Sequence, residues 1–225
     1  MRAVVVAALA LALAPAAHAA DGKALYDANC SRCHGSLGQG IRNNGPSLKA
    51  AGALAADFYL RTGYMPLANP HDQPTRSRVL FTEPQLRALT AYVASLGHGP
   101  PIPHPRIGSV AAGQRLFADS CAGCHQIVAR GGVVTGARVP PLQAETPTQI
   151  AQAVVVGPFL MPKFSFTRKQ VSDLVAYVEY TKHPENPGGW SIGELGPWPE
   201  GMVAWLLAIP VLVTLCCLFA RRART

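Results

Sequence analysis

The chain has 225 residues, of which 20 are Lys or Arg and 12 are Asp or Glu, and its formal net charge is +8. Four of the basic residues lie at the two ends of the chain, so elsewhere 16 basic residues face 12 acidic ones. A charge this weak and dispersed, with no basic helix or aromatic platform, excludes a nucleic-acid-binding protein. The length between the ends is enough for two small domains.

Residues 1–20 are predicted to be a secretory signal peptide. Arg2 precedes an apolar stretch from Ala3 to Ala14, and Ala17-His18-Ala19 supplies the small residues of a cleavage site. The stretch is too short to span a bilayer comfortably. We expect the segment to be removed, and the alternative is an anchor that is retained.

The middle of the chain contains an internal repeat. Six positions recur 91 residues later, where Gly22, Leu25, Tyr26, Cys30, Cys33 and His34 correspond to Gly113, Leu116, Phe117, Cys121, Cys124 and His125. The segment FTEPQLRALTAYV at 81–93 returns as FTRKQVSDLVAYV at 166–178. The repeat predicts two related domains, at 21–98 and 107–186, joined by a stiff proline-rich linker at 99–106.

Each unit has the pattern of a small helical domain. An amphipathic helix leads into CxxCH, and a loop, a middle helix, a methionine-containing loop and a closing helix follow. Thr82 and Thr167 each precede a glutamine by three residues, which is capping-box spacing at the start of a closing helix. Thr146 and Pro147 suit the N-cap and first turn of the second middle helix. Strand signals are few, so an all-α fold is predicted.

The motif CxxCH occurs at 30–34 and again at 121–125. It places two thiols on one turn, at a spacing suited to the two vinyl groups of a porphyrin, with the adjacent imidazole turned towards the iron. Four thiolates could in principle bind zinc, but both histidines and the repeat would then be unexplained. A thiol–disulfide redox pair would need a βαβ setting, and pairs local to one turn do not form a disulfide framework. We therefore predict two covalent c-type haems, attached through Cys30, Cys33, Cys121 and Cys124.

Two methionines are the predicted axial ligands opposite His34 and His125. Met65 and Met161 lie 31 and 36 residues after these histidines, and both precede proline. The alternative is that each methionine fills a core, but matching places in a repeat favour ligation. His/Met ligation occupies both axial positions of an iron and suits electron transfer. Four other histidines do not recur and are expected at the surface or in loops: His71, His98, His104 and His183.

Two prolines also correspond in the repeat. Pro46 and Pro140 lie where a backbone carbonyl could accept a hydrogen bond from the proximal imidazole. We predict that these carbonyls orient the two histidines.

The first unit carries an insertion directly after its methionine. Met65 and Phe81 are 16 residues apart, whereas Met161 and Phe166 are 5 apart. The extra residues lie within LANPHDQPTRSRVL at 67–80. Two interpretations remain open, which are a docking surface for one partner and a disordered excursion.

The C-terminal part reads as a membrane anchor. A Gly/Pro-rich connector at 187–200 leads into a predicted transmembrane helix at 201–220, and residues 221–225 form a short basic tail. Nineteen residues from Met202 to Ala220 carry no charge, which is close to the length needed to cross a bilayer. The arginines that follow place the C-terminus in the cytoplasm and the haem domains outside. Cys216 and Cys217 are interpreted as small packing residues of this helix.

The two units resemble class I c-type cytochrome domains, which are small, helical and haem-centred. The whole chain from residue 21 onward resembles the dihaem cytochrome c subunit of the actinobacterial menaquinol–cytochrome c reductase, the cytochrome bc complex. The segments that carry this resemblance are MPLANP, AYVASLGHGPPIP, PPLQAETPTQI, NPGG and GPWPEGMVAWLL. Two departures are Gln126, where the first unit has glycine after CxxCH, and the short C-terminal tail.

The resemblance implies a function as well as a fold. It implies an electron-transfer subunit of a quinol–cytochrome c reductase, a translocase of the respiratory chain, with no substrate chemistry of its own. Electrons would pass from the Rieske iron–sulfur protein to the copper centre of a terminal oxidase, beside a cytochrome b subunit. By the same resemblance His34 and Met65 would ligate the first iron, and His125 and Met161 the second.

Two other functions are weighed against this one. A dihaem peroxidase would need one open coordination site on an iron, and two Met-Pro ligands argue against it. A membrane-anchored electron acceptor for a periplasmic dehydrogenase remains the alternative, since only the segment GPWPEG favours a cytochrome b partner.

Overall fold

The computed structural model describes residues 20–72, 74–134, 136–184 and 201–222. The signal peptide up to residue 19, the connector at 187–200 and the last three residues of the tail lie outside these ranges. The chain divides into two compact units, one ending at Lys182 and the other beginning at His183. The first unit contains both CxxCH motifs and the second contains the C-terminal helix.

The predicted repeat appears as the same order of helices in both domains. The first domain contains α1 (Gly22–Asn29), α2 (Ser31–His34), α3 (Gly52–Arg61) and α4 (Glu83–Ser95). The second contains α5 (Val110–Ser120), α6 (Ala122–His125), β1 (Gly132–Val134), β2 (Ala137–Val139), α7 (Pro147–Val156) and α8 (Arg168–Lys182). The C-terminal helix α9 spans Gly201–Arg222 and includes a π-helical stretch, Ala204–Ala208.

Capping side chains explain where the middle and closing helices begin. The predicted capping boxes form at Thr82 with Gln85 and at Thr167 with Gln170, where each glutamine accepts the N-cap backbone N–H. Thr146 caps α7 as predicted, accepting from the backbone N–H of Gln149 at 3.2 Å, with proline at the first helical position. These local bonds satisfy backbone donors that the first turn of a helix leaves free.

The first helix of each domain crosses its closing helix closely. A β-carbon on Gly22 would collide with the carbonyl oxygen of Ala88 in α4, and one on Gly113 would collide with that of Asp173 in α8. Ring pairs flank both crossings, with centroids 5.1 Å apart in the first domain and 5.3 Å apart in the second. The glycines that recur in the sequence therefore allow the close helix crossing in each domain.

Each domain has its own hydrophobic core. The first core contains Tyr26, Ala56, Leu60, Leu86, Leu89 and Val93. The second is larger and includes Phe117, Ile150, Val154, Leu174, Val175 and Val178. Met65 packs against the first core and Met161 against the second.

The short hairpin in the second domain departs from the all-α prediction. Strands β1 and β2 are antiparallel, and Gly132 pairs with Val139. Gly136 supplies the positive φ of 81° that the turn requires, and β-branched valines favour extended backbone on either side. The corresponding loop of the first domain contains an isolated bridge between Ile41 and Gly45. The fold is thus mainly helical, with one small β-ribbon.

The two domains are in contact with each other. Helices α3 and α7, which are equivalent in the repeat, pack together. The segment between the domains is attached to both of them, since the backbone N–H of Leu54 donates to the carbonyl of Pro100 at 3.1 Å, and the backbone N–H of Arg106 donates to the Ser172 hydroxyl at 3.1 Å. The proline-rich segment therefore runs along the surface of a joined pair of domains.

Helix α9 is a candidate membrane anchor. Among the described residues it is the one helix long and apolar enough to cross a membrane, and none of its most apolar stretch is buried within the chain. Its last turn carries Arg221 and Arg222. This agrees with the predicted transmembrane segment in length and in composition.

Truncation before Gly201 tests the role of α9. We expect the truncated protein to be released in a soluble, red form on the outer side of the membrane, because the sequence between the signal and Gly201 has no other segment of membrane length. Fractionation with absorption spectroscopy measures the release. Recovery in the membrane fraction would show instead that residues 1–20 remain as an anchor.

Candidate haem sites

The CxxCH turn has the same backbone geometry in both domains. The carbonyl of Cys30 accepts from the backbone N–H groups of Cys33 and His34, at 3.1 and 2.9 Å. The carbonyl of Cys121 accepts from the corresponding groups at the same distances, 3.1 and 2.9 Å. A single tight turn therefore follows the first helix of each domain and holds both cysteines and the histidine together.

Each CxxCH histidine is oriented by a prolyl carbonyl. Nδ1 of His34 lies 2.8 Å from the carbonyl oxygen of Pro46, and Nδ1 of His125 lies 3.3 Å from that of Pro140. An Nδ1–H that donates to this oxygen leaves Nε2 available as a metal ligand. The predicted role of the two prolines is confirmed, and the histidines suit the proximal side of a haem.

The two imidazoles differ in their surroundings. His125 is buried, whereas His34 is partly exposed. Burial lowers the pKa of His125, and the Pro140 carbonyl opposes that shift. Burial therefore favours the neutral imidazole of His125, which is the form that binds a metal.

A tyrosine hydroxyl holds the loop beyond CxxCH in each domain. In the first domain Tyr26 on α1 donates to the carbonyl of Gly35 at 2.7 Å. In the second domain the equivalent of Tyr26 is Phe117, and Tyr177 on α8 donates instead, to the carbonyl of Ile127 at 2.7 Å. The hydroxyl has moved to the other ring of the pair at the helix crossing. Sequence analysis missed this exchange, although the alignment of Tyr26 with Phe117 was a signal for it.

The residue after CxxCH has an unusual backbone conformation in both domains. Gly35 has φ 78° and ψ 155°, and Gln126 has φ 59° and ψ 159°. This region is almost confined to glycine because a β-carbon clashes there. The departure noted at Gln126 is thus a strained residue next to the second site.

The two methionines lie on the loops that follow α3 and α7. The backbone N–H of Met65 donates to the carbonyl of Tyr59 at 3.1 Å, and that of Met161 donates to the carbonyl of Pro158 at 3.0 Å. Both side chains are partly buried against the core of their own domain. The four histidines considered as competitors are all exposed, at positions 71, 98, 104 and 183.

The first cysteine of each pair does not have the pKa of a reactive thiol. Burial raises the pKa of the Cys30 and Cys121 thiols to about 11, whereas a reactive cysteine has a depressed pKa. No cluster of three or more His, Cys, Asp or Glu side chains that could hold a metal ion occurs in the part of the chain that the structure describes. The tight CxxCH turns and the histidines oriented beside them suit haem attachment.

Comparison with protein families supports two cytochrome c domains. The family described as "Cytochrome c" matches residues 19–97. The family described as "Cytochrome C oxidase, cbb3-type, subunit III" matches residues 108–178. Two c-type domains, each with one CxxCH motif, correspond to two covalently attached c-type haems.

Similar proteins extend over most of the chain. The "Cytochrome bc1 complex cytochrome c subunit" of Corynebacterium diphtheriae is 37% identical over 216 residues, covering 86% of this chain and 77% of its own. The protein of the same description from Mycobacterium bovis is 35% identical over 218 residues, covering 90% of this chain and 77% of its own. The crystal structure of reduced cytochrome c4 from Pseudomonas stutzeri aligns with 70% of this chain and 95% of its own at 19% identity, with a TM-score of 0.27, which is too low to support an argument.

Replacing Gln126 with glycine tests the strain at the second site. We expect Gln126→Gly to raise the free energy of unfolding by about 1–3 kcal/mol, because glycine adopts this conformation without the clash. Denaturant unfolding of the haem-loaded protein measures the change. The control is Gln126→Ala, which keeps the β-carbon and should give little gain, and equal gains in both variants would contradict the explanation.

Proposed function

This chain belongs to the family of cytochrome c subunits of the cytochrome bc1 complex, and from that membership we propose that it is a membrane-anchored dihaem electron relay. It would accept electrons from the Rieske iron–sulfur protein of a menaquinol-oxidising complex and pass them to a terminal oxidase. The observation that carries the proposal is the similarity to the curated relatives, which extends across both CxxCH domains and 86% of the chain. Electron transfer by a cytochrome c follows from family membership, and the direction and the partners are proposed.

The residues proposed to hold the two haems are those that recur in the repeat. Cys30 and Cys33 would attach the first haem and Cys121 and Cys124 the second. His34 with Met65, and His125 with Met161, would be the axial ligands. The haem would supply the one-electron chemistry, and His/Met ligation would raise its potential and leave no open position for a substrate. The chain therefore acts as the electron-transfer subunit of the reductase and not as a catalyst of its own reaction.

The proposed topology follows from the C-terminal helix. Helix α9 would cross the cell membrane once, with Arg221 and Arg222 on the cytoplasmic side. Both haem domains would then lie outside the cytoplasm, on the side to which the predicted signal peptide directs them. A single-pass tether raises the effective concentration of the haem domains at a partner in the same membrane.

Replacing each methionine in turn tests the axial ligands. We expect Met65→His and Met161→His each to lower one midpoint potential and to leave the other nearly unchanged, because imidazole donates more strongly to iron than a thioether does. Spectroelectrochemical titration of the haem-loaded chain measures both potentials. A methionine whose replacement moves neither potential is not a ligand.

Isolation of the protein from its native membrane tests the relay. In mild detergent we expect cytochrome b and the Rieske protein to co-purify with this chain, and its haems to be reduced by menaquinol. A matched preparation without the Rieske protein should lose that reduction. Co-purification with a periplasmic dehydrogenase, or reduction that does not depend on the Rieske protein, would contradict the proposal.

A further inference from the structure

A buried polar pair lies between the two haem domains. Gln152 on α7 is fully buried, and its side-chain Nε2 donates to Oδ2 of Asp57 on α3 at 2.9 Å. Because an ionised carboxylate only accepts hydrogen bonds, the amide nitrogen must face Asp57, and this fixes the orientation of the amide. The same nitrogen lies 3.5 Å from the carbonyl oxygen of Leu54. One side chain of the second domain is thus inserted into a polar site of the first.

The charge of Asp57 is compensated within its own domain. Asp57 is only 5% exposed, and its Oδ1 accepts from Nε of Arg61 at 2.7 Å. Arg61 also donates to both carboxylate oxygens of Glu83, at 2.6 and 2.8 Å. A carboxylate paired with a guanidinium in this way is a strong hydrogen-bond acceptor. The contact made by Gln152 is therefore a hydrogen bond to a charged group in a site shielded from water.

This polar pair is not part of the repeat. Gly63 and Gly157, the repeated glycines that follow α3 and α7, are 94 residues apart, and at this offset Asp57 corresponds to Ala151 and Gln152 corresponds to Phe58. Neither residue has a polar counterpart in the other domain. The pair therefore serves the contact between the domains and not the folding of either domain alone.

The insertion after Met65 makes a second contact between the domains. Its Arg76 forms an ion pair with Glu145 of the second domain, which is 8% exposed. The neighbouring Ser77 donates to the carbonyl of Gly63 at 2.5 Å and so holds the insertion against its own domain. Lys182 donates to the backbone carbonyl of Glu145 at 2.6 Å and fixes the receiving loop. These contacts describe a strap between the domains, and a docking surface on the insertion stays a prediction.

Aromatic rings form a third contact, beside the proposed axial ligands. The ring centroids of Tyr64 and Phe159 are 4.9 Å apart, and those of Tyr59 and Phe159 are 6.0 Å apart. Tyr64 directly precedes Met65, and Phe159 lies two residues before Met161. The two methionine loops therefore touch each other across the domain boundary. A change in the angle between the domains would therefore disturb these ring contacts.

We propose that these three contacts form a clasp that holds the two haem sites at one fixed separation, with Gln152 and Arg76 as its positioning residues. The clasp makes the two domains a single rigid electron-transfer body, and the insertion that only the first domain carries is its strap. The clasp rests on the proposed relay function, because electron transfer from one haem to the other requires a short and constant distance between them. The test needs the two haems but neither of the proposed partners.

The clasp is tested by the distance between the two ferric haems in the full-length, haem-loaded chain. Pulsed dipolar EPR should give one narrow distance for the unmodified protein in detergent. Arg76→Glu places two carboxylates together and should broaden the distribution, with loss of the narrow peak. Arg78→Glu is the matched control, because it makes the same charge change at an exposed position two residues away, and it should keep the narrow peak.

Variants that exchange the two side chains of a contact show whether a single substitution acts on the position of the domains or destabilises the protein in general. Combining Arg76→Glu with Glu145→Arg reverses the ion pair and should restore the narrow distance. Gln152→Glu should broaden the distribution by placing a second carboxylate against Asp57, and adding Asp57→Asn should restore it, because the amide and the carboxylate then exchange sides. Absorption spectra and covalent haem content confirm that each variant retains both sites.

Two results would overturn the clasp. One is a broad distance distribution in the unmodified protein, and the other is an unchanged narrow peak in both Arg76→Glu and Gln152→Glu. Failure of the chain to co-purify with Rieske protein would reject the relay and leave these distances unaffected. Failure of the distance test would reject the clasp and leave the relay in place.

Discussion

The close crossing of the first helix over the closing helix is the constraint on which each haem domain depends. Gly22 and Gly113 allow it, because a β-carbon at either position would collide with a carbonyl of the facing helix. The crossing fixes the end of the first helix, where the CxxCH turn begins. It also positions the tyrosine hydroxyl that holds the loop beyond the motif. The orientation of the attachment turn thus follows from a contact between helices at opposite ends of the domain sequence.

Duplication gave two domains with the same frame, and their differences are concentrated where they meet or where a partner could approach. Equivalent helices, α3 and α7, face each other, yet the polar pair between them has no symmetric copy. The strap from Arg76 to Glu145 likewise begins in an insertion that only one domain has. An exact repeat would present identical faces, whereas a buried carboxylate needs a donor opposite it and not a second carboxylate. Divergence at the interface is therefore what allows the two domains to pair.

The arrangement is suited to a fixed relay. A soluble carrier exposes one haem and diffuses between partners. In a chain with two haem domains and a candidate membrane helix, one domain can contact the electron donor while the other contacts the acceptor. Such a tethered chain gains from the high effective concentration of its haem domains at each partner, and not from a higher binding affinity. The difference between a buried His125 and a partly exposed His34 gives the two sites different surroundings within one duplicated frame.

The sequence by itself determined the features that depend on neighbouring residues. These include the CxxCH turns, the capping boxes, the order of the helices and the apolar C-terminal segment, because each is governed by a few adjacent side chains. Only the tertiary structure decided the β-hairpin, the use of Tyr177 in place of a tyrosine on the first helix, and the contacts that Gln152 and Arg76 make across the domain boundary. These join residues up to 98 positions apart. The residues next to such a side chain in the sequence do not indicate its partner, because only the folded chain brings the two together.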